Sequence, residues 1–116
     1  MSFSADIKEM LCKTEYECPG CALSELAGFF EFSGREQDNE IRVLVSSDFL
    51  KRRIVIALSN ELTIVPDENG RKLVLTGAYK DKLTELIKGD IFLYECCKVA
   101  YIRGAFLGGG SVNAPG

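Results

Sequence analysis

Apolar and polar positions along the chain alternate between helical and strand periods. Over residues 3–14, Phe3, Ile7, Met10 and Leu11 recur at helical spacing behind Ser4, a residue suited to an N-cap, which predicts a first helix. Pro19-Gly20 marks a turn, and residues 21–33, CALSELAGFFEFS, read as a second helix stopped by Gly34. That segment is apolar nearly all round, so it belongs in the core. In Ile41-Arg42-Val43-Leu44-Val45 the odd positions share one face, the mark of a strand, and residues 34–37 can pair with it as a hairpin across a polar turn. Residues 47–60 are β-branched, yet Leu50, Ile54, Ala57 and Leu58 keep helical spacing behind a Ser47/Asp48 cap, which favours a helix. Residues 62–65 and 73–76 flank Asn69-Gly70, a hairpin signal. Helices over 79–88 and 95–108 close the chain, the first with Leu83, Leu86 and Ile87 inward. The order α-α-β-β-α-β-β-α-α has no βαβ rhythm and points to an α+β fold.

Composition narrows the chemistry. The 116 residues are 47% hydrophobic and 27% charged, enough for one domain with its own core. No run approaches a membrane span, and the N-terminus lacks the pattern of an export signal, so a cytoplasmic protein is expected. The formal charge of −3 argues against gripping nucleic acid by bulk electrostatics alone. With no histidine, Ser-His-Asp and Cys-His catalysis and imidazole metal sites are excluded. Five cysteines, an odd number, make a framework of structural disulfides the poorer reading.

An internal repeat is the most informative feature. An offset of 76 residues lays the second helix on the last, placing Cys21 on Cys97, Leu26 on Ile102, Gly28 on Gly104, Phe30 on Phe106 and Gly34 on Gly110. A glycine inside an apolar helix costs about 1 kcal/mol relative to alanine, so two matched ones imply close backbone approach. Gly108 extends the small-residue stripe. The expected helix-pair interface is Leu26, Gly28, Phe30, Ile102, Gly104, Phe106 and Gly108.

Residues 26–34, LAGFFEFSG, resemble the nine-residue signature of the LAGLIDADG homing endonucleases, and residues 102–110, IRGAFLGGG, resemble a second copy. The opening SFSADIKEML and the closing ECCKVAYIRGAFLGGGSVNAPG are similar to a family of bacterial regulators that join such a region to a C-terminal helix-turn-helix. The resemblance implies a LAGLIDADG-like repeat over 1–94 with its N-terminal helix and a truncated second repeat over 95–116. The helix-turn-helix would be absent from this chain, which would be roughly the front third of such a protein. It further implies transcription control linked to cell division, chromosome segregation or sporulation, with DNA reached mainly through the full-length protein.

In the nucleases the eighth position of each signature carries a metal-binding carboxylate, and two are needed because charge develops on both the attacking and the leaving oxygen. Here those positions are Ser33 and Gly109, and Glu31 should turn away from the metal position, so no catalytic residue is expected. A metal-dependent endonuclease is the rival reading. On the sheet, Arg42, Ser46, Arg71 and Lys72 are the candidate DNA-facing residues, opposed by Glu36, Asp38, Glu40, Asp67 and Glu68. Lys51, Arg52 and Arg53 read as an ordinary solvated helix face.

Cys18-Pro19-Gly20-Cys21 invites a second rival, a zinc or redox module. The redox reading wants a preceding strand, which is missing. A zinc site could recruit Cys96 and Cys97, but neighbouring helical side chains diverge by about 100°, so no metal or cofactor is expected, and Cys21 and Cys97, equivalent repeat positions, read as small apolar residues buried near the helix starts. The fragment is expected to be free of membrane, to leave an apolar helix face open and to form a homodimer through it. No small-molecule ligand is indicated.

Overall fold

The computed structural model describes residues 9–89 and 94–108. The elements are α1 (Pro19–Ser33), β1 (Arg35–Gln37), β2 (Glu40–Leu44), α2 (Asp48–Leu62), β3 (Asp67–Asn69), β4 (Lys72–Thr76), α3 (Ala78–Lys88) and α4 (Glu95–Gly108), preceded by helical residues 9–11. Two antiparallel hairpins join through β2 and β4 into one four-stranded sheet of order β1-β2-β4-β3, and the fold is α+β.

Each hairpin follows from its turn chemistry. Asp38 and Asn39 both hold positive φ, the backbone that a two-residue type I′ turn demands and that short polar side chains tolerate. In the second hairpin Asn69 pairs with Lys72, so the turn is Gly70-Arg71, with Gly70 at positive φ. This shifts the expected strand. Residues 62–65 are not a strand: α2 runs to Leu62, and Thr63 caps it in the left-handed conformation, its N–H returning to the carbonyls of Leu58 and Ser59. The start of α2 follows expectation, with the Ser47 hydroxyl accepting from the Leu50 amide at 3.4 Å. The first helix differs as well. It ends at Leu11, and Met10 is 67% exposed, so Met10 is not part of an inward stripe; Phe3 and Ile7 lie outside the described residues.

Ile41, Val43, Leu73 and Leu75 form the buried face of the sheet and pack in one cluster with Leu26, Phe29 and Phe30 of α1 and with Leu50, Ile54 and Leu58 of α2. The other sheet face carries Arg35, Glu40, Arg42, Leu44, Lys72 and Val74, because strand side chains alternate. From Ser24 to Phe30 every residue of α1 is buried, the polar Ser24 and Glu25 included. Among the described residues no helix is long and apolar enough to cross a membrane.

Candidate functional site: the glycine-notched helix pair and its surroundings

Helices α1 and α4 run side by side and parallel, with Cys21 and Cys97 at their starts and Ser33 and Gly108 at their ends. The contact is made by backbone. A Cβ on Gly28 would clash with the Tyr101 carbonyl oxygen, and one on Gly104 with the Glu25 carbonyl oxygen. These contacts are reciprocal: Gly104 stands 76 residues after Gly28, and Tyr101 stands 76 after Glu25. Each helix therefore offers the same patch to the other, as across a two-fold axis. Gly108 extends the seam, where a Cβ would fall 2.6 Å from the Phe29 carbonyl oxygen and 3.1 Å from the Ser33 side chain.

The other residues expected in this interface differ in exposure. Leu26 and Phe30 are buried with the strand residues of the core. Phe106 is half-buried, and Ile102 is 67% exposed, which corrects its assignment to the interface. The cause is helical geometry: positions 102 and 104 are about 200° apart around the axis, so a helix that presents Gly104 to α1 turns Ile102 away.

At the foot of the pair the Ser33 hydroxyl donates to the Phe29 carbonyl at 2.5 Å. Glu31 is exposed and accepts from the Tyr101 hydroxyl. Burial, then the hydrogen bond to Glu31, pushes Tyr101 up to about 12 from an ordinary 10.0. Gly109 lies outside the described residues.

A groove of about 700 Å³ leads from this foot to the outer sheet face, lined by Phe32, Ser33, Arg35, Arg42, Leu44 and Lys72 among others. Of the candidate DNA-facing residues, Arg42 and Lys72 line it. Arg42 is already engaged, its Nε donating to Glu40 Oε1 at 2.6 Å. Ser46 and Arg71 stand at the end of the sheet, where Arg71 Nη1 donates to the Ser46 carbonyl at 3.1 Å and Nε lies 3.4 Å from Asp48. The opposing acids are also paired: Glu36 meets Lys80 at 2.7 Å, which lowers the Glu36 pKa, and Glu68 meets Lys51 at 3.0 Å.

One expectation about charge is reversed. Arg53 is not part of a solvated run; its side chain is 10% exposed and its Nε donates to Glu25 Oε2 at 2.9 Å. Glu25 is 1% exposed and also accepts from Arg103 Nε at 2.6 Å and the Tyr16 hydroxyl at 2.9 Å. Arg53 Nη1 reaches the carbonyls of Cys12 and Thr14 at 2.8 and 3.0 Å, and its guanidinium stacks 4.6 Å over the Tyr16 ring. Burial pulls the Arg53 pKa down, but the Glu25 hydrogen bond and charge, with Tyr16 and Cys12 adding, together leave it raised. Burial, reinforced by the Glu25 charge, raises Tyr16. This network ties α1, α2, α4 and the segment before α1 at one point. The signal was present in two lone charges inside apolar runs, Glu25 in ALSELAGFF and Arg103 in AYIRGAFL, which a pattern search for core helices passes over.

At the opposite end of the pair, Cys18, Cys21, Cys96 and Cys97 converge, with all four sulfurs within 4.8 Å of one another. Cys18 Sγ lies 3.4 Å from Cys21 Sγ, 3.4 Å from Cys96 Sγ and 3.6 Å from Cys97 Sγ. Adjacent Cys96 and Cys97 do not diverge too far to share a partner, contrary to expectation. Cys18 precedes its helix as the N-cap, and from there its side chain reaches both. Cys21 and Cys97 are buried, as expected. Hydrogen bonding to Cys18 and Cys21, with burial adding, pushes the Cys96 thiol up to about 12.

No protein-family model matches the chain. Sequence comparison does find relatives along 99% of it. The probable cell division protein WhiA of Heliobacterium modesticaldum is 32% identical, and that of Lachnospira eligens is 28% identical. Each alignment is longer than this chain, so these relatives carry insertions here, and the chain spans about half of their length (46% of each). Among solved structures, full-length DUF199/WhiA from Thermatoga maritima superposes with a TM-score of 0.69 at 24% identity, over 99% of this chain and 42% of that one. The N-terminal LAGLIDADG domain of DUF199/WhiA superposes with a TM-score of 0.64 at 22% identity, over 92% of this chain and 58% of that one. This chain resembles the N-terminal LAGLIDADG domain of WhiA. The two superpositions establish the fold, and the WhiA sequences extend the likeness along the chain. In that frame α1 and α4 carry the two signature segments, and the reciprocal glycine contacts are the seam between them.

Proposed function

We propose that this chain is a LAGLIDADG-like unit without nuclease chemistry, the regulatory or assembly portion of a WhiA-type DNA-binding transcriptional regulator. Its processes would be cell division, chromosome segregation and sporulation. Residues 1–94 form the first repeat and 95–116 open a second. DNA is engaged mainly through the helix-turn-helix region of such regulators, and this chain binds it weakly or not at all.

One observation carries the reading: the helix pair keeps its glycine seam while the eighth signature positions hold Ser33 and Gly109. In-line phosphodiester hydrolysis on this scaffold needs paired carboxylates at that foot to hold divalent metal. Ser33 instead donates its hydroxyl back to its own helix, and Glu31 is taken up by Tyr101. Weak DNA binding is supported by the formal charge of −3 and by Glu40, which already engages Arg42 on the outer sheet face, because phosphate contacts by free cations supply most such affinity.

The test is incubation of this chain with supercoiled DNA and magnesium or manganese. No nicking above buffer is expected. Repeatable cleavage that Glu31→Ala abolishes would make the chain a nuclease and overturn the reading.

A further inference from the structure

We propose that Cys18, Cys21, Cys96 and Cys97 form a tetrahedral four-thiolate site for a single zinc-class cation that clamps the N-terminal ends of α1 and α4 together. The inference rests on the sulfur geometry and stands apart from the proposed regulatory role.

Zinc binds thiolate at about 2.3 Å, so four sulfurs around one ion lie roughly 3.8 Å from each other. The sulfur separations from Cys18, 3.4, 3.4 and 3.6 Å, and the 4.8 Å limit over the whole set bracket that value. A polynuclear iron–sulfur core would need its thiolates farther apart. With no histidine in the chain, an all-sulfur set is the natural one, and soft thiolates select zinc-class ions over magnesium or calcium.

Two further features prepare the place. Gly20 makes room, since a Cβ there would stand 3.3 Å from Cys97 Sγ and 3.9 Å from Cys18 Sγ. The first turns of two parallel helices also meet at the cluster, and the partial positive charge of both helix starts favours thiolates. Binding would release four protons from four thiols and leave a complex of net charge −2 facing those two helix starts.

The site joins what the sequence keeps far apart. Cys18 caps the first signature helix and Cys21 lies in its first turn, while Cys96 and Cys97 lie in the first turn of the second. One ion would fasten the pair at its start, while the glycine seam fastens it along its length.

The experiment uses the 116-residue chain purified under reducing conditions without chelator, with elemental analysis and titration by Co²⁺. One tightly held ion per chain is expected. The cobalt form should show sulfur-to-metal charge transfer and tetrahedral bands, and X-ray absorption on the zinc form should show four sulfurs at about 2.3 Å. Cys97→Ser should weaken binding by at least about 100-fold, beyond what outer-shell changes cost, whereas Cys12→Ser should leave it intact. Substoichiometric metal, a cobalt spectrum with oxygen ligands, or affinity unchanged by Cys97→Ser would overturn the proposal. If Cys97→Ser fails to fold, the cobalt and absorption spectra of the unaltered chain still decide it. A Cys18–Cys21 disulfide formed in place of metal uptake would also overturn it.

Discussion

Helices α1 and α4 share a pattern but live in different surroundings. In α1, Leu26 and Phe30 are buried beneath the sheet at 1% and 3% exposure. At the same offset in α4, Ile102, the counterpart of Leu26, is 67% exposed and Phe106, the counterpart of Phe30, is only half-buried, while Val99 of α4 and Tyr94 just before it are also open to solvent. On the faces the helices turn to each other they are alike, and both bring glycine to a carbonyl of the other. The difference lies in what covers the far side. The two hairpins roof α1, and among the described residues nothing comparable roofs α4. Burial of an apolar side chain is thus conferred by neighbours, and a repeated sequence does not guarantee a repeated environment.

Three groups of substitutions break or sharpen this comparison. The largest effect is expected at Glu25, the one charge through which α1 holds both α2 and α4. Glu25→Gln leaves Arg53 and Arg103 buried without a counter-charge and should cost about 3–5 kcal/mol by chemical denaturation. A loss under 1 kcal/mol would mean that the network is decorative.

Next comes the matched pair on the far faces. Leu26→Ala should cost about 2–5 kcal/mol by opening a cavity under the sheet, whereas Ile102→Ala should fall within about 0.5 kcal/mol of the parent. Ile102→Lys should additionally lower any self-association seen by light scattering, since it places charge on the open face. Equal costs for the two alanine variants would show that something covers α4 in solution.

The smallest of the three expected losses belongs to the seam. Gly28→Ala and Gly104→Ala each force two backbones apart and should cost about 1–3 kcal/mol, read as a fall in Tm. The contacts are reciprocal, so the two losses should be similar. A loss confined to one of them would break the two-fold likeness.

Much of this molecule is legible in its residues. The α+β order, the two hairpins, the Ser47 cap and the matched glycines all follow from local rules, because turn dihedrals, caps and the room glycine leaves act over a few residues. The misplaced strand at 62–65 shows where such rules stop, since a left-handed Thr63 cap is disfavoured for a β-branched residue and only the assembled fold holds it there.

The candidate site divides in the same way. Residue identity alone decided that histidine chemistry is excluded and that the eighth signature positions bear no acid. Tertiary structure alone decided that Arg53 turns inward to Glu25, that Ile102 turns out, and that four cysteines separated by up to 79 positions meet within 4.8 Å. Local sequence governs dihedrals and periodicity, whereas charge pairing and sulfur convergence depend on distances between helices, which packing sets.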